Sequence, residues 1–306
     1  MRTNNKLRAL KVIFFTLIII PFFIAHPLAA QNSTIIAEGA ELTLISDQFS
    51  FTEGPATDAD GNVYFTDQPN DHIWKYSIDG ELTLFMDETG RSNGMYFDHD
   101  GNLLSCADLN GEIWSISTDN KEVTVLVNEF NGKQLNGPND LWVDPKGGIY
   151  FTDPYYQRDY WDRTEKEIEE ERVYYLTPDR QEILIVENEF VKPNGIIGTP
   201  DGNTLYVADI GDSKTYSYTM NEDGTLSNKQ LFAKMGSDGM TIDDQGNVYL
   251  TGSGVTVFNK EGEQIEHIPI PQGWTGNVTF IGPERRTLFI TAGNSVYTLE
   301  MNVQGR

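Results

Sequence analysis

The chain has 306 residues, with 46 acidic side chains against 22 basic ones and a formal net charge of −24. So acidic a surface repels phosphate backbones, which excludes nucleic acid as a partner. Cys106 is the only cysteine, so no internal disulfide can form and stability must come from a packed core.

Taken in chain order, the first element is a leader. Arg2, Lys6, Arg8 and Lys11 precede an apolar run from Val12 to Ala25, and His26-Pro27-Leu28-Ala29-Ala30 closes it. A basic start, a short apolar stretch and a small-residue end describe a signal peptide over residues 1–30, cleaved after Ala30. Leu28 suits the third position before that cut poorly, so an uncleaved anchor is the alternative. The protein is expected to be exported, to the periplasm or outside the cell. No later apolar stretch is long enough to span a bilayer, so no stable membrane insertion is expected after cleavage.

Residues 31–306 read as one domain. Six short segments resemble one another: 60–67 (DGNVYFTD), 100–108 (DGNLLSCAD), 146–153 (KGGIYFTD), 201–209 (DGNTLYVAD), 245–252 (QGNVYLTG) and 284–292 (ERRTLFITA). Each opens on a turn signal and runs into β-branched and aromatic residues. Each also follows another short apolar run, so the unit is a hairpin, with further strands such as 72–78, 111–117 and 172–177 behind it. Seven residues before each turn stands one polar residue: Glu53, Asn93, Asn139, Asn194, Asp238 and Asn277. These markers are 40, 46, 55, 44 and 39 residues apart, the spacing of propeller blades. The predicted fold is all-β, a six-bladed β-propeller. The segment 41–47 is expected to close the ring by joining the last blade.

In a propeller the first strand of each blade lines the central channel, so the six markers converge there. None is apolar and none is basic. A ring of buried carboxylates and amides is costly without a counter-charge. Oxygen donors of this kind suit hard cations, and the lack of His or Cys argues against zinc or copper as the natural choice. One divalent cation is expected, Ca²⁺ first, with Mg²⁺, Mn²⁺ or Zn²⁺ as alternatives. Single Asn-Gly pairs are ordinary turn chemistry; six polar residues in one register, two of them acids, are not.

The segments 51–55 (FTEGP), 91–95 (RSNGM), 135–141 (LNGPNDL), 192–196 (KPNGI) and 237–240 (SDGM) resemble the motifs of the SMP-30/gluconolactonase/luciferin-regenerating-enzyme family. Residues 136–156 look especially like bacterial gluconolactonases. The resemblance implies a six-bladed propeller with a central Ca²⁺ or related dication. It implies Glu53, Asn194 and Asp238 as metal ligands, with Asn139 as a fourth ligand or substrate contact. Asp238 would be the catalytic base, and Asn93 and Asn277 would face the substrate or its water. Many relatives carry Cys-Glu-His after the second hairpin, where this chain has Cys106-Ala107-Asp108, so contacts on that blade differ.

The expected activity is metal-dependent opening of a sugar lactone, with the metal polarising the carbonyl and Asp238 activating water. The partner is then a small lactone or sugar. A phosphotriesterase-type hydrolase and a non-catalytic sugar-binding propeller with a structural cation are the alternatives. No G-x-S-x-G elbow supports a serine hydrolase, and His72 and His99 fall at solvent-facing positions. Asp67, Asp108, Asp153 and Asp209 end the second strand of four blades and are expected to cap the loops that follow. Residues 155–172 form an insertion expected to overhang the site. Tyr155, Tyr156, Tyr160 and Trp161 are candidates to line a sugar pocket, Tyr155 foremost. A helical turn or two is predicted over 164–172.

Overall fold

The computed structural model describes residues 35–306 together with Met1. The signal peptide expected over 1–30 lies outside the described residues. Within them, 24 strands form six four-stranded antiparallel sheets. Five sheets use four consecutive strands each, and the inner strands are Thr52–Thr57, Ser92–Phe97, Leu141–Val143, Pro193–Gly198 and Met240–Ile242. The sixth blade has inner strand Thr275–Ile281, and its outer edge is supplied by Thr43–Ser46, which pairs with Ser295–Glu300 (Thr43 opposite Thr298, Leu44 opposite Tyr297). The first strand of the described residues thus closes the ring, as its position implies. No helix among the described residues is long and apolar enough to cross a membrane.

The turn signals act through side chains. In the first blade the Asp58 carboxylate accepts the Asp60 and Asn62 amides (3.0 and 2.9 Å), and Asp98, Asp144 and Asp243 repeat that pattern in the second, third and fifth blades. An Asx-type cap of this kind fixes the hairpin and, with it, the register of the channel strand.

The blades touch most closely at the axis, and this explains the glycine that follows four of the markers. A Cβ on Gly54 would fall 2.0 Å from the Asn93 carbonyl oxygen, and one on Gly239 would fall 1.9 Å from Asn277 Cγ. Gly239→Ala is therefore expected to destabilise the fold by about 3 kcal/mol, since the added methyl would overlap the Asn277 side chain and force it to move; urea unfolding measures it. Second-strand threonines join neighbouring blades across the same gap. Thr66 Oγ1 donates to the Asn93 carbonyl (3.2 Å) and Thr152 Oγ1 to the Asn194 carbonyl (2.8 Å).

The insertion lacks the expected helix. Residues 164–170 form bends rather than a helical turn, and Glu171 already begins the strand Glu171–Leu176. The segment is too short to offset helix nucleation, and outside partners take its side chains. Ile168 is buried in the blade core, Glu167 accepts the Gln134 amide (2.8 Å), and Lys166 pairs with Glu171 (2.7 Å).

Candidate metal centre

Five of the six markers, Glu53, Asn93, Asn139, Asn194 and Asp238, line one pocket of about 260 Å³ at the mouth of the channel. The inner strands deliver them through local irregularities. Glu53 pairs with Thr66, but the next pair is Ala56 with Tyr64, so Gly54 and Pro55 bulge out. Comparable register breaks stand at Ser92/Met95, Pro193/Ile196 and Thr275/Asn277. Such bulges re-aim side chains at strand ends. In the third and fifth blades Asn139 and Asp238 sit just ahead of the strand and need no bulge.

Asn277 lies one layer deeper. With Asp140 it lines a second cavity of about 460 Å³ further along the channel. Its amide lowers the pKa of both Glu53 and Asp140, against a much larger rise from burial. Tyr155 is not among the residues lining the first pocket; its neighbour Tyr156 is, with Phe51, Gln68, Arg158, Ile210 and Trp274. The Tyr155 hydroxyl instead donates to Gln157 (2.5 Å). No sequence periodicity marks Gln68, Arg158 or Trp274. They arrive on loops of three different blades.

The terminal aspartates hold the loops that follow only in part, Asp209 accepting the Asp212 amide (3.2 Å) and Asp67 the Asn70 side-chain amide (2.7 Å); most of their bonds go to the loops that precede the markers. Asp67 accepts the Ser50 and Phe51 amides (both 3.1 Å), Asp153 those of Asn136 and Gly137 (3.0 and 2.7 Å), and Asp209 those of Val191 and Lys192 (both 2.9 Å). Each caps the loop running into the marker of its own blade, because the antiparallel hairpin returns the aspartate beside that loop. Asp108 is the exception: its carboxylate takes the Tyr160 hydroxyl and Arg158 Nε (2.8 Å) from the insertion.

The electrostatics are those of buried acids that lack a counter-charge. Burial, then the charge of Asp238, pushes the Glu53 carboxyl well above the usual carboxylate range. Burial also raises Asp238, against hydrogen bonds from Trp274 Nε1 to Oδ2 (2.6 Å) and Asn194 Nδ2 to Oδ1 (2.9 Å). Asn194 Nδ2 also donates to the Tyr156 hydroxyl (3.0 Å), while Asn194 Oδ1, buried, has no hydrogen-bond partner. An orphaned amide oxygen beside two mutually repelling carboxylates fits a hard dication. Among the described residues no group of three or more His, Cys, Asp or Glu side chains is placed to hold a metal. The donor set is instead two acids with amide oxygens, which suits Ca²⁺ better than zinc.

The match to known proteins extends over nearly all of this architecture: the model of the SMP-30/gluconolactonase/LRE-like region covers residues 42–294. The chain belongs to this family. Among members of the SMP-30/gluconolactonase family, the gluconolactonase of Zymomonas mobilis is 29% identical over 200 residues, 60% of this chain and 56% of that protein. Diisopropyl-fluorophosphatase of Loligo vulgaris is 28% identical over 193 residues, 57% of this chain and 60% of that protein. The chain thus spans little more than half the length of these relatives. A solved gluconolactonase from Xanthomonas campestris superimposes with a TM-score of 0.81 at 29% identity, covering 88% of this chain and 91% of that one.

Trp274, like Gln68 and Arg158, is a residue of this pocket that sequence reading did not single out. Its indole holds one oxygen of Asp238 from an exposed loop. Trp274→Phe keeps the ring and removes the donor. It is expected to lower any rate that depends on Asp238 about tenfold with little change in melting temperature; kinetics beside a thermal melt measure both.

Proposed function

We propose that this protein is an exported, metal-dependent lactonase that opens a sugar lactone. The observation that carries the reading is the unpartnered Asn194 Oδ1 in one open pocket with Glu53 and Asp238, two buried acids that burial raises above the usual carboxylate range. Glu53, Asn139, Asn194 and Asp238 would hold one divalent cation, Ca²⁺ first. When bound, it supplies Lewis acidity to a lactone carbonyl and charge stabilisation to the oxygen that develops there.

The chain's own residues do the rest. Asp238, fixed by Trp274 and Asn194, takes a proton from water at the lone pairs those two donors leave open. The hydroxyl adds to the acyl carbon, the acyl C–O bond breaks, and the proton passes to the ring oxygen. The Tyr156 hydroxyl accepts from Asn194, so its own hydrogen is free to donate to a ligand. Burial and the Asp238 charge raise its pKa and keep it protonated. Asn93 lines the same pocket and is suited to sugar hydroxyls.

The similarity to the gluconolactonases and the resemblance of residues 136–156 to bacterial members support a lactone; the similarity to a fluorophosphatase is almost as high, so a phosphotriester is the direct competitor. A pH-stat panel of gluconolactone, smaller lactones and an aryl phosphotriester decides between them. Faster turnover of a sugar lactone than of the phosphotriester is expected, and the reverse order would replace this reading. N-terminal sequencing of the exported product is expected to begin at Gln31.

A further inference from the structure

The pocket floor is acidic, but its rim gathers bases, in a chain with less than half as many basic as acidic residues. Arg158 lines the pocket, and only its Nε is engaged, by Asp108 Oδ2 at 2.8 Å. Its two terminal nitrogens make no hydrogen bond to protein among the described residues. The guanidinium lies over the Tyr156 ring at 5.4 Å, and Lys192 Nζ lies over the same ring at 4.3 Å. Arg91 packs over Tyr160 of the same insertion at 5.0 Å. Neither Lys192 nor Arg91 forms a salt bridge among the described residues.

Asp108 is free to hold Arg158 because another residue has taken its place. In the first, third and fourth blades the matching aspartate caps its own loop. In the second blade Asp71 does so, accepting the Thr89 and Arg91 amides at 3.0 and 2.6 Å. Asp108 instead fixes Arg158 and the Tyr160 hydroxyl, and its backbone carbonyl accepts Trp161 Nε1 at 2.9 Å. The arrangement orients a guanidinium with its outer edge open, the edge that binds an oxyanion in a two-pronged way.

Arg158 is the one base that lines the pocket. Lys192 and Arg91 stand behind it on the insertion's rings, with Nζ and Nη1 donating to the Tyr155 and Gln68 carbonyls (3.0 and 3.2 Å). We propose that this rim is an anion subsite. Building on the lactonase reading, the substrate carries a carboxylate on the carbon remote from the lactone carbonyl, and the terminal nitrogens of Arg158 bind it. The product would then be a sugar diacid.

Calorimetric titration of the Ca²⁺-loaded full chain with D-glucarate, D-gluconate and uncharged D-glucitol tests this without any turnover, so it stands apart from the question of lactone hydrolysis. The diacid is expected to bind at least about tenfold more tightly than the mono-acid, the scale of a charge-assisted pair. Arg158→Gln should bring that ratio close to one, and Arg158→Lys should keep part of it. Asp108→Asn, which loosens Arg158 without removing it, should reduce the ratio as well. Equal affinities in the wild type, or a ratio that survives Arg158→Gln, would overturn the proposal. So would an Arg158→Gln effect confined to Ca²⁺ affinity, because Arg158 would then only screen the acids below it.

Discussion

Asp238→Asn is expected to lower kcat on a sugar lactone by about a thousandfold or more, without lowering the melting temperature of the cation-free protein. The two effects have separate causes. The activity loss combines a missing general base, worth about 10²–10⁴ alone, with a weakened cation site. Stability survives because the wild-type carboxylate sits beside Glu53 with no cation between them, and burial works against both. An asparagine removes that repulsion. Its oxygen still accepts from Trp274, and Asn194 can turn its amide to offer the now unpartnered Oδ1 to the new NH₂ group. Kinetics and calorimetry on one preparation measure both effects. A kcat within tenfold of wild type would remove Asp238 from the chemistry.

Removing the cation is expected to lower the melting temperature by about 5–10 °C when the loaded sample holds Ca²⁺ at a hundred times its Kd, since such an excess stabilises by about 2.7 kcal/mol. The gap should widen with pH. In the cation-free fold Glu53 and Asp238 are raised above their unfolded values, and Asp140, just beneath, is pushed up to about 8, all chiefly by burial. For an acid whose folded pKa is raised, the folded state holds its proton longer than the unfolded chain. Its contribution is fully present below the unfolded pKa, near 4, and is lost as pH rises through the folded value. Cation-free protein should therefore lose stability between about pH 4 and pH 8, while loaded protein is protected. Glu53→Gln should flatten the cation-free curve and weaken Ca²⁺ binding. Parallel curves with and without chelator would mean that the acids do not face a common cation.

The parts of this site that repeat were legible in the sequence; those that occur once were not. The seven-residue interval from marker to turn is a property of a two-stranded hairpin, so it survives in every blade and locates Glu53, Asn93, Asn139, Asn194 and Asp238 together. It also locates Asn277, but not its depth. That depends on the close approach of Gly239, a contact between blades rather than along one. The closing strand was legible for the same reason, since a ring with an unpaired edge needs a partner. Trp274 and Arg158 left no such trace. Each lies on a loop whose path is set by long-range contacts, the hydrogen bond to Asp238 for one and the grip of Asp108 for the other. Tyr155 and Tyr156 show the limit most plainly. Adjacent and alike in chemistry, they point to different partners, Gln157 for one and Asn194 for the other, and only the folded insertion separates them.

The most direct measurement of the central claim is the rate of gluconolactone opening by chelator-treated protein as Ca²⁺ is returned in steps. The rate should be negligible without cation and rise to a plateau at one equivalent per chain, in step with Ca²⁺ binding measured on the same samples. A rate that chelation leaves unchanged, or that rises without any bound Ca²⁺, would contradict a cation-dependent lactonase centred on Asp238.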